Sequence, residues 1–141
     1  MSDKTFVDTN VLMYAHDVAA GTKHQIANMV LRELWSEHSG VVSVQVLQEF
    51  YVNVTRKIPV PLSKEAARQV VSNYAIWCTE TTSAEISAAF QIEDESRIGF
   101  WDALIVSSAA KSGAMRILSE DFNAGQRIAG IIIENPFAAL Q

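Results

Sequence analysis

Cysteine is nearly missing from this chain of 141 residues; Cys78 is the single example. A disulfide within the chain is therefore impossible, and Cys-based zinc sites and CxxC redox motifs are excluded. A reducing compartment suits such a chain. Proline and glycine are also scarce, at three and six residues, which excludes collagen-like and low-complexity readings. No apolar run approaches the roughly eighteen residues of a membrane span. The opening Met1-Ser2-Asp3-Lys4 lacks the long apolar core of a secretion signal. The expectation is a soluble, cytoplasmic protein with no membrane partner. Basic residues are outnumbered, 11 Lys and Arg against 16 Asp and Glu, for a net charge of −5. A protein that holds nucleic acid by bulk electrostatics is usually basic, so any role on nucleic acid must come from a local site. Acids gathered around a metal ion can still act on phosphates, because the cation inverts the local field.

What is present is ordinary globular composition, 49% hydrophobic and 19% charged. The length is one domain's worth, read as a single unit over residues 1–141, and long enough to bury a core without a disulfide or zinc staple. Short apolar runs alternate with longer helical patterns, which argues for an α/β sandwich around a mostly parallel sheet. Strands are expected at residues 4–8, 41–43, 76–79, 115–118 and 131–133. Thr22-Lys23-His24-Gln25 has the form of a capping box, opening a helix whose apolar positions are Ile26, Met29, Val30 and Leu34. A helix is expected over residues 44–57, closed before Pro59 and Pro61. Ser63 can cap the next, with Ala67, Val70, Val71 and Tyr74 inward. Thr82-Ser83-Ala84-Glu85 is a second capping box, ahead of Ile86, Ala89 and Phe90. A last helix over residues 101–112 ends at Gly113.

In open parallel sheets ligands bind beyond the carboxyl ends of the strands. That rule draws attention to Asp8, Ser43 and Ser119-Glu120-Asp121, and to two acids inside apolar helices, Glu49 and Asp102. Each acid also has a plain reading. Asp8 can cap a helix. Glu49 can belong to an exposed stripe with Gln45 and Gln48. Asp102 suits the first turn of a helix, although Phe100 and Trp101 make its setting aromatic. Asp121 can form an Asx turn, as Asn123 and Gly125 also suggest. Together, however, the four occupy positions that a parallel sheet can bring to one rim. Clustered carboxylates repel one another and must protonate or be neutralised. A hard divalent cation does this economically, and no Cys or His set competes for the role.

These residues carry a family likeness. The sequence resembles PIN domains, the nuclease domains of VapC-type toxins. The resemblance lies in Phe6-Val7-Asp8-Thr9-Asn10-Val11-Leu12, Leu47-Gln48-Glu49-Phe50, Phe100-Trp101-Asp102-Ala103-Leu104-Ile105 and Leu118-Ser119-Glu120-Asp121-Phe122. It implies a three-layer fold with about five parallel strands in the order 3-2-1-4-5. It implies an acidic metal site of Asp8, Glu49, Asp102 and Asp121, supported by Asn10 and Ser119, with Glu120 the alternative to Asp121 as fourth acid. One or two Mg²⁺ or Mn²⁺ ions would occupy it, and the activity would be endoribonucleolytic hydrolysis of RNA phosphodiesters. The implied partners are an RNA substrate, a cognate antitoxin and a second copy of the chain.

Other readings stand beside this one. A haloacid-dehalogenase-type phosphatase needs a second Asp two residues after the first, where this chain has Asn10. A catalytically silent RNA-binding or scaffold module is the remaining alternative. His16, His24 and His38 lack ligand spacing, and Trp35, Trp77 and Trp101 read as core or interface residues rather than base-stacking platforms.

Overall fold

The computed structural model describes residues 3–140. Its strands are β1 (Thr5–Val7), β2 (Gly40–Ser43), β3 (Cys78–Thr79), β4 (Arg116–Leu118), β5 (Arg127–Ile128) and β6 (Ile131–Glu134). Its helices are α1 (Thr9–His16), α2 (Thr22–Glu37), α3 (Val44–Arg56), α4 (Lys64–Tyr74), α5 (Ser83–Ser96) and α6 (Phe100–Lys111), with short 3-10 turns between some of them. The strands form one sheet in the order β3-β2-β1-β4-β6-β5. Every pairing is parallel except β5 with β6. Consecutive residues Phe6 and Val7, Val41 and Val42, and Ile117 and Leu118 are all buried. Both faces of the central strands are therefore covered, as parallel sheets require. No helix among the described residues is long and apolar enough to cross a membrane.

The expected order is correct for all five strands, since the fifth, expected at residues 131–133, is β6 beside β4. A sixth, two-residue strand, β5, precedes it in the sequence and closes the edge antiparallel. Ala129 and Gly130 link the two with φ of +51° and +80°, a two-residue turn of the hand that suits a twisted hairpin. Ala129 lacks the glycine or asparagine character that signals such a turn, so the strand escaped sequence reading.

Three local expectations fail for identifiable reasons. Thr22 does not cap α2. The chain reverses at Gly21, whose φ of +63° only glycine adopts freely, and Gly21 itself holds the cap position. Thr22 is thus already helical, and its hydroxyl takes no part in the cap. Met29 is 70% exposed, and the inward stripe of α2 is Ala27, Leu31 and Leu34. The expected strand at residues 76–79 shrinks to Cys78–Thr79, because Ala75–Trp77 form a 3-10 turn. That turn lays the Trp77 indole on the spot a Gly40 side chain would occupy, with Trp77 Cε2 2.6 Å from an ideal Cβ there. Trp77 stacks on Trp35 at 4.2 Å between ring centres and meets Tyr74 edge-on at 5.3 Å. The Thr82 capping box forms as expected, although Ile86 and Phe90 of α5 face outward and only Ala89 of that trio is buried.

The topology selects the site. From β1 the chain moves to β2 and β3 on one side, then crosses back so that β4 lies on the other. The carboxyl ends of β1 and β4 therefore flank the switch point, where a crevice opens in folds of this kind. Asp8 follows β1 there, and residues 119–121 follow β4.

Candidate active site

Asp8 ends β1 and caps α1. Its backbone N–H extends the β1–β4 ladder to the Leu118 carbonyl at 3.0 Å, and its carboxylate accepts the Thr9 N–H at 2.8 Å. The cap reading is thus correct, but it does not exhaust the residue. Asp8 is 7% exposed, and burial pushes its carboxyl up to about 6 from an ordinary 3.8. The hydrogen bonds from Ser119 and Thr9 work against that rise, and the charges of Asp121 and Glu49 add to it.

Ser119 is fully buried at the end of β4. Its hydroxyl donates to Asp8 Oδ2 at 2.7 Å and accepts the Asp121 N–H at 3.1 Å. Asn10, on the first turn of α1, joins the same network. Its amide donates to Asp121 Oδ2 at 3.0 Å and to Ser119 Oγ at 3.3 Å, and its carbonyl accepts the Glu120 N–H at 3.3 Å. Asn10 and Ser119 therefore stitch the loop after β4 onto the start of α1.

Glu49 arrives from β2 through α3, whose cap is the Ser43 hydroxyl. It is exposed, as the stripe reading expects, yet it is tied. Its Oε2 accepts the Thr9 hydroxyl at 2.8 Å and its Oε1 accepts the Gln45 amide at 3.0 Å. Asp102 lies in the first turn of α6, half-buried, after a Gly99 cap that offers no side-chain acceptor. Burial raises its carboxyl, and the charges of Asp121 and Glu49 raise it further. Glu49 and Asp121 thus act on both Asp8 and Asp102.

Glu120 is turned elsewhere. It pairs with the Lys23 ammonium at 2.8 Å and accepts the Tyr14 hydroxyl. Asp121, not Glu120, is the acid of this loop whose charge acts on Asp8 and Asp102. Thr9, Tyr14 and Lys23 escaped sequence reading as parts of this neighbourhood. Tyr14 had one signal, its place one helical turn after Asn10.

The chemistry of the donor set suits a hard divalent cation. The side chains present only oxygen. Among the described residues the ion pairs are Lys23–Glu120, Lys111–Glu85 and Arg116–Glu134, so none reaches Asp8, Glu49, Asp102 or Asp121. A buried carboxylate with no counter-charge is costly, and a cation would discharge the whole group. As they stand, no three His, Cys, Asp or Glu side chains among the described residues converge on one ion position. The acids line a rim rather than a closed cage.

His16 takes no part. It packs edge-on against Phe50 at 5.5 Å, with Nε2 3.2 Å from the Tyr74 hydroxyl, and burial lowers its pKa. Trp35 and Trp77 belong to the aromatic packing around Gly40, whereas Trp101 is 66% exposed.

The model of the PIN domain family matches residues 5–129. No curated protein sequence matches the chain. Solved structures do resemble it. The VapBC complex of Salmonella typhimurium bound to DNA aligns with a TM-score of 0.68 at 19% identity, over 96% of this chain and 99% of that one. VapBC2 of Rickettsia felis, bound to a fragment of promoter DNA, gives 0.65 at 20% identity over 93% and 97%. VapC20 of Mycobacterium tuberculosis, a toxin that cleaves the sarcin-ricin loop, gives 0.57 at 18% identity over 81% and 87%. At these identities the resemblance is one of fold.

Proposed function

We propose, from the premise that this chain belongs to the PIN domain family, that it is a metal-dependent endoribonuclease acting as the toxin of a VapBC-type pair. The observation that carries the reading is the buried Asp8 after β1, joined through Ser119 to Asp121 and through Thr9 to Glu49, with no ion pair to any of them or to Asp102 among the described residues. Asp8, Asp102 and Asp121 would hold Mg²⁺ or Mn²⁺, with Glu49 bound directly or through water. Such an ion, when bound, makes water more acidic and neutralises charge on phosphate oxygens.

The chain's own residues supply the frame. Ser119 and the Thr9 N–H fix the Asp8 carboxylate, so it meets a cation without searching rotamers. Thr9 and Gln45 do the same for Glu49, and Asn10 for Asp121. Hydrolysis adds water across a P–O3′ bond and leaves a 5′-phosphate and a 3′-hydroxyl. With a net charge of −5, the protein cannot hold RNA by bulk attraction, which favours a selective substrate over general degradation.

The partners follow the same reading. Two of the structural neighbours are toxin–antitoxin complexes on DNA, and a cognate antitoxin is proposed for this chain. A homodimer is proposed with it. An exposed apolar groove between α3 and α4, lined by Val44, Leu47, Tyr51, Val52 and Val71, offers a surface for another chain.

Calorimetric titration of Mn²⁺ into metal-stripped protein tests the proposal, with Asp8→Asn and Asp102→Asn alongside. Saturable binding lost in both variants is expected, together with Mg²⁺-dependent fragments from total cellular RNA. Cleavage that persists in a chelator would overturn the metal dependence. A catalytically silent RNA-binding module is the alternative, and RNA retention without Mn²⁺ binding or cleavage would establish it.

A further inference from the structure

Glu120 and Asp121 are adjacent acids turned to different partners. The loop that carries them, residues 119–126, lies outside any helix or strand. Backbone bonds from Ser119 to Glu134 and from Gly125 to Ile133 hold its ends, and buried Phe122 its middle. The amides of Glu120 and Asp121 are held by side-chain bonds. Glu120 takes part in three of them. Its backbone N–H donates to Asn10, and its carboxylate accepts from Tyr14 and from Lys23. Asn10 and Tyr14 stand four residues apart on α1 and so share one face. That face grips Glu120 twice, by backbone and by side chain.

The Lys23 contact is not an ordinary surface pair, whose worth side-chain entropy erodes. The ammonium lies 4.9 Å from the Tyr14 ring centre and 5.7 Å from that of Phe137. Phe137 is fully buried and meets Tyr14 edge-on at 5.1 Å. The two rings thus help to hold Lys23 beside Glu120. The same pairing keeps the Glu120 charge away from a rim that already holds four acids.

We propose that Glu120 is a positioning residue: clamped by Tyr14 and Lys23, it anchors the loop after β4 so that Asp121 stays with Asp8 and Asn10. The proposal rests on reading the rim as a metal site, and it adds a residue that acts through another.

The test uses the full chain and three variants. Tyr14→Phe removes one donor, keeps every charge and still packs on Phe137. Glu120→Gln and Glu120→Ala remove the same charge but differ in what can still accept a bond. The first readout is amide hydrogen exchange at Glu120 and Asp121 in metal-free protein, with the buried β1 amides as an internal reference for folding. The second is the Mn²⁺ dissociation constant.

Exchange at both amides should quicken several-fold in Tyr14→Phe and about tenfold or more in Glu120→Ala, with Glu120→Gln between wild type and Ala. Mn²⁺ affinity should fall in the same order, by about tenfold in Glu120→Ala, the usual scale for a residue supporting a ligand. Unchanged exchange in Tyr14→Phe, with equal affinities in the two Glu120 variants, would mean that Glu120 acts only through its charge and would overturn the proposal. Tighter Mn²⁺ binding in Glu120→Ala would overturn it too. If the wild type binds no Mn²⁺, the metal reading fails by itself, and the exchange rates still decide whether Glu120 anchors the loop.

Discussion

Replacing Asp8 by asparagine should make the metal-free protein more stable, although it destroys the proposed site. The argument is one of linkage. The Asp8 carboxyl titrates at about 6 in the folded chain against 3.8 for the free group. A raised acid pKa means that the folded state holds its proton longer, so stability falls as pH rises. The penalty is absent below 3.8, grows between 3.8 and 6, and is complete above that. A shift of this size corresponds to about 3 kcal/mol at full ionisation. Asparagine carries no charge but replaces the carboxylate oxygen that accepts the Ser119 hydroxyl, a loss of about 1 kcal/mol. The net gain near pH 8 is therefore about 2 kcal/mol, or roughly 7 °C in Tm for a chain of this length. Near pH 5 only about half of the penalty has developed, and the gain shrinks to about 0.5 kcal/mol. Urea unfolding of both proteins at the two pH values, with a chelator present, measures these differences. A variant less stable than wild type near pH 8, or a difference that does not narrow toward pH 5, would refute the reasoning and leave Asp8 as a simple helix cap.

Three further outcomes follow from the same structure. Mn²⁺ at a hundredfold excess over its dissociation constant should stabilise the wild type by about 2.7 kcal/mol and leave Asp8→Asn unmoved, read by thermal melts with and without the ion. Gly40→Ala should cost about 1–3 kcal/mol, because its methyl group would meet a buried, stacked Trp77 ring rather than a movable chain end; an unchanged urea midpoint would show that the indole gives way. Ala129→Asn should raise stability by about 0.5–1 kcal/mol, since asparagine tolerates the φ of +51° that alanine holds there at a cost; a loss on urea unfolding would contradict this.

The parts of the molecule legible in the sequence are those where local chemistry and tertiary need agree. Asp8 is both a cap and a rim acid, so either reading leads to the same position. Glu85 closes its capping box because Thr82 meets it through local bonds alone. That Glu120 rather than Asp121 turns to Lys23, ninety-seven residues from Glu120, was not legible, nor was the ring of Phe137 beside that ammonium. Thr22 and Met29 misled for a related reason. Their patterns were sound for an isolated helix, but the entry turn at Gly21 and the direction of the core moved both out of the roles their spacing suggested. Trp101 reads as packing material because tryptophan usually is, yet the fold leaves it exposed.

The bond from Ser119 to Asp8 spans 111 residues, and that span has a consequence for synthesis. A chain emerging from the ribosome presents Asp8 first, then Glu49 and Asp102, each on a segment able to fold locally. Glu49 can meet Thr9 early, across 40 residues, but the rim is incomplete until β4 has been made and has paired alongside β1. A nascent chain is thus without its rim until β4, residues 116–118, has emerged. Non-local parallel pairing of this kind is also slow to form. Whatever activity the rim supports begins only once β4 has emerged and paired with β1.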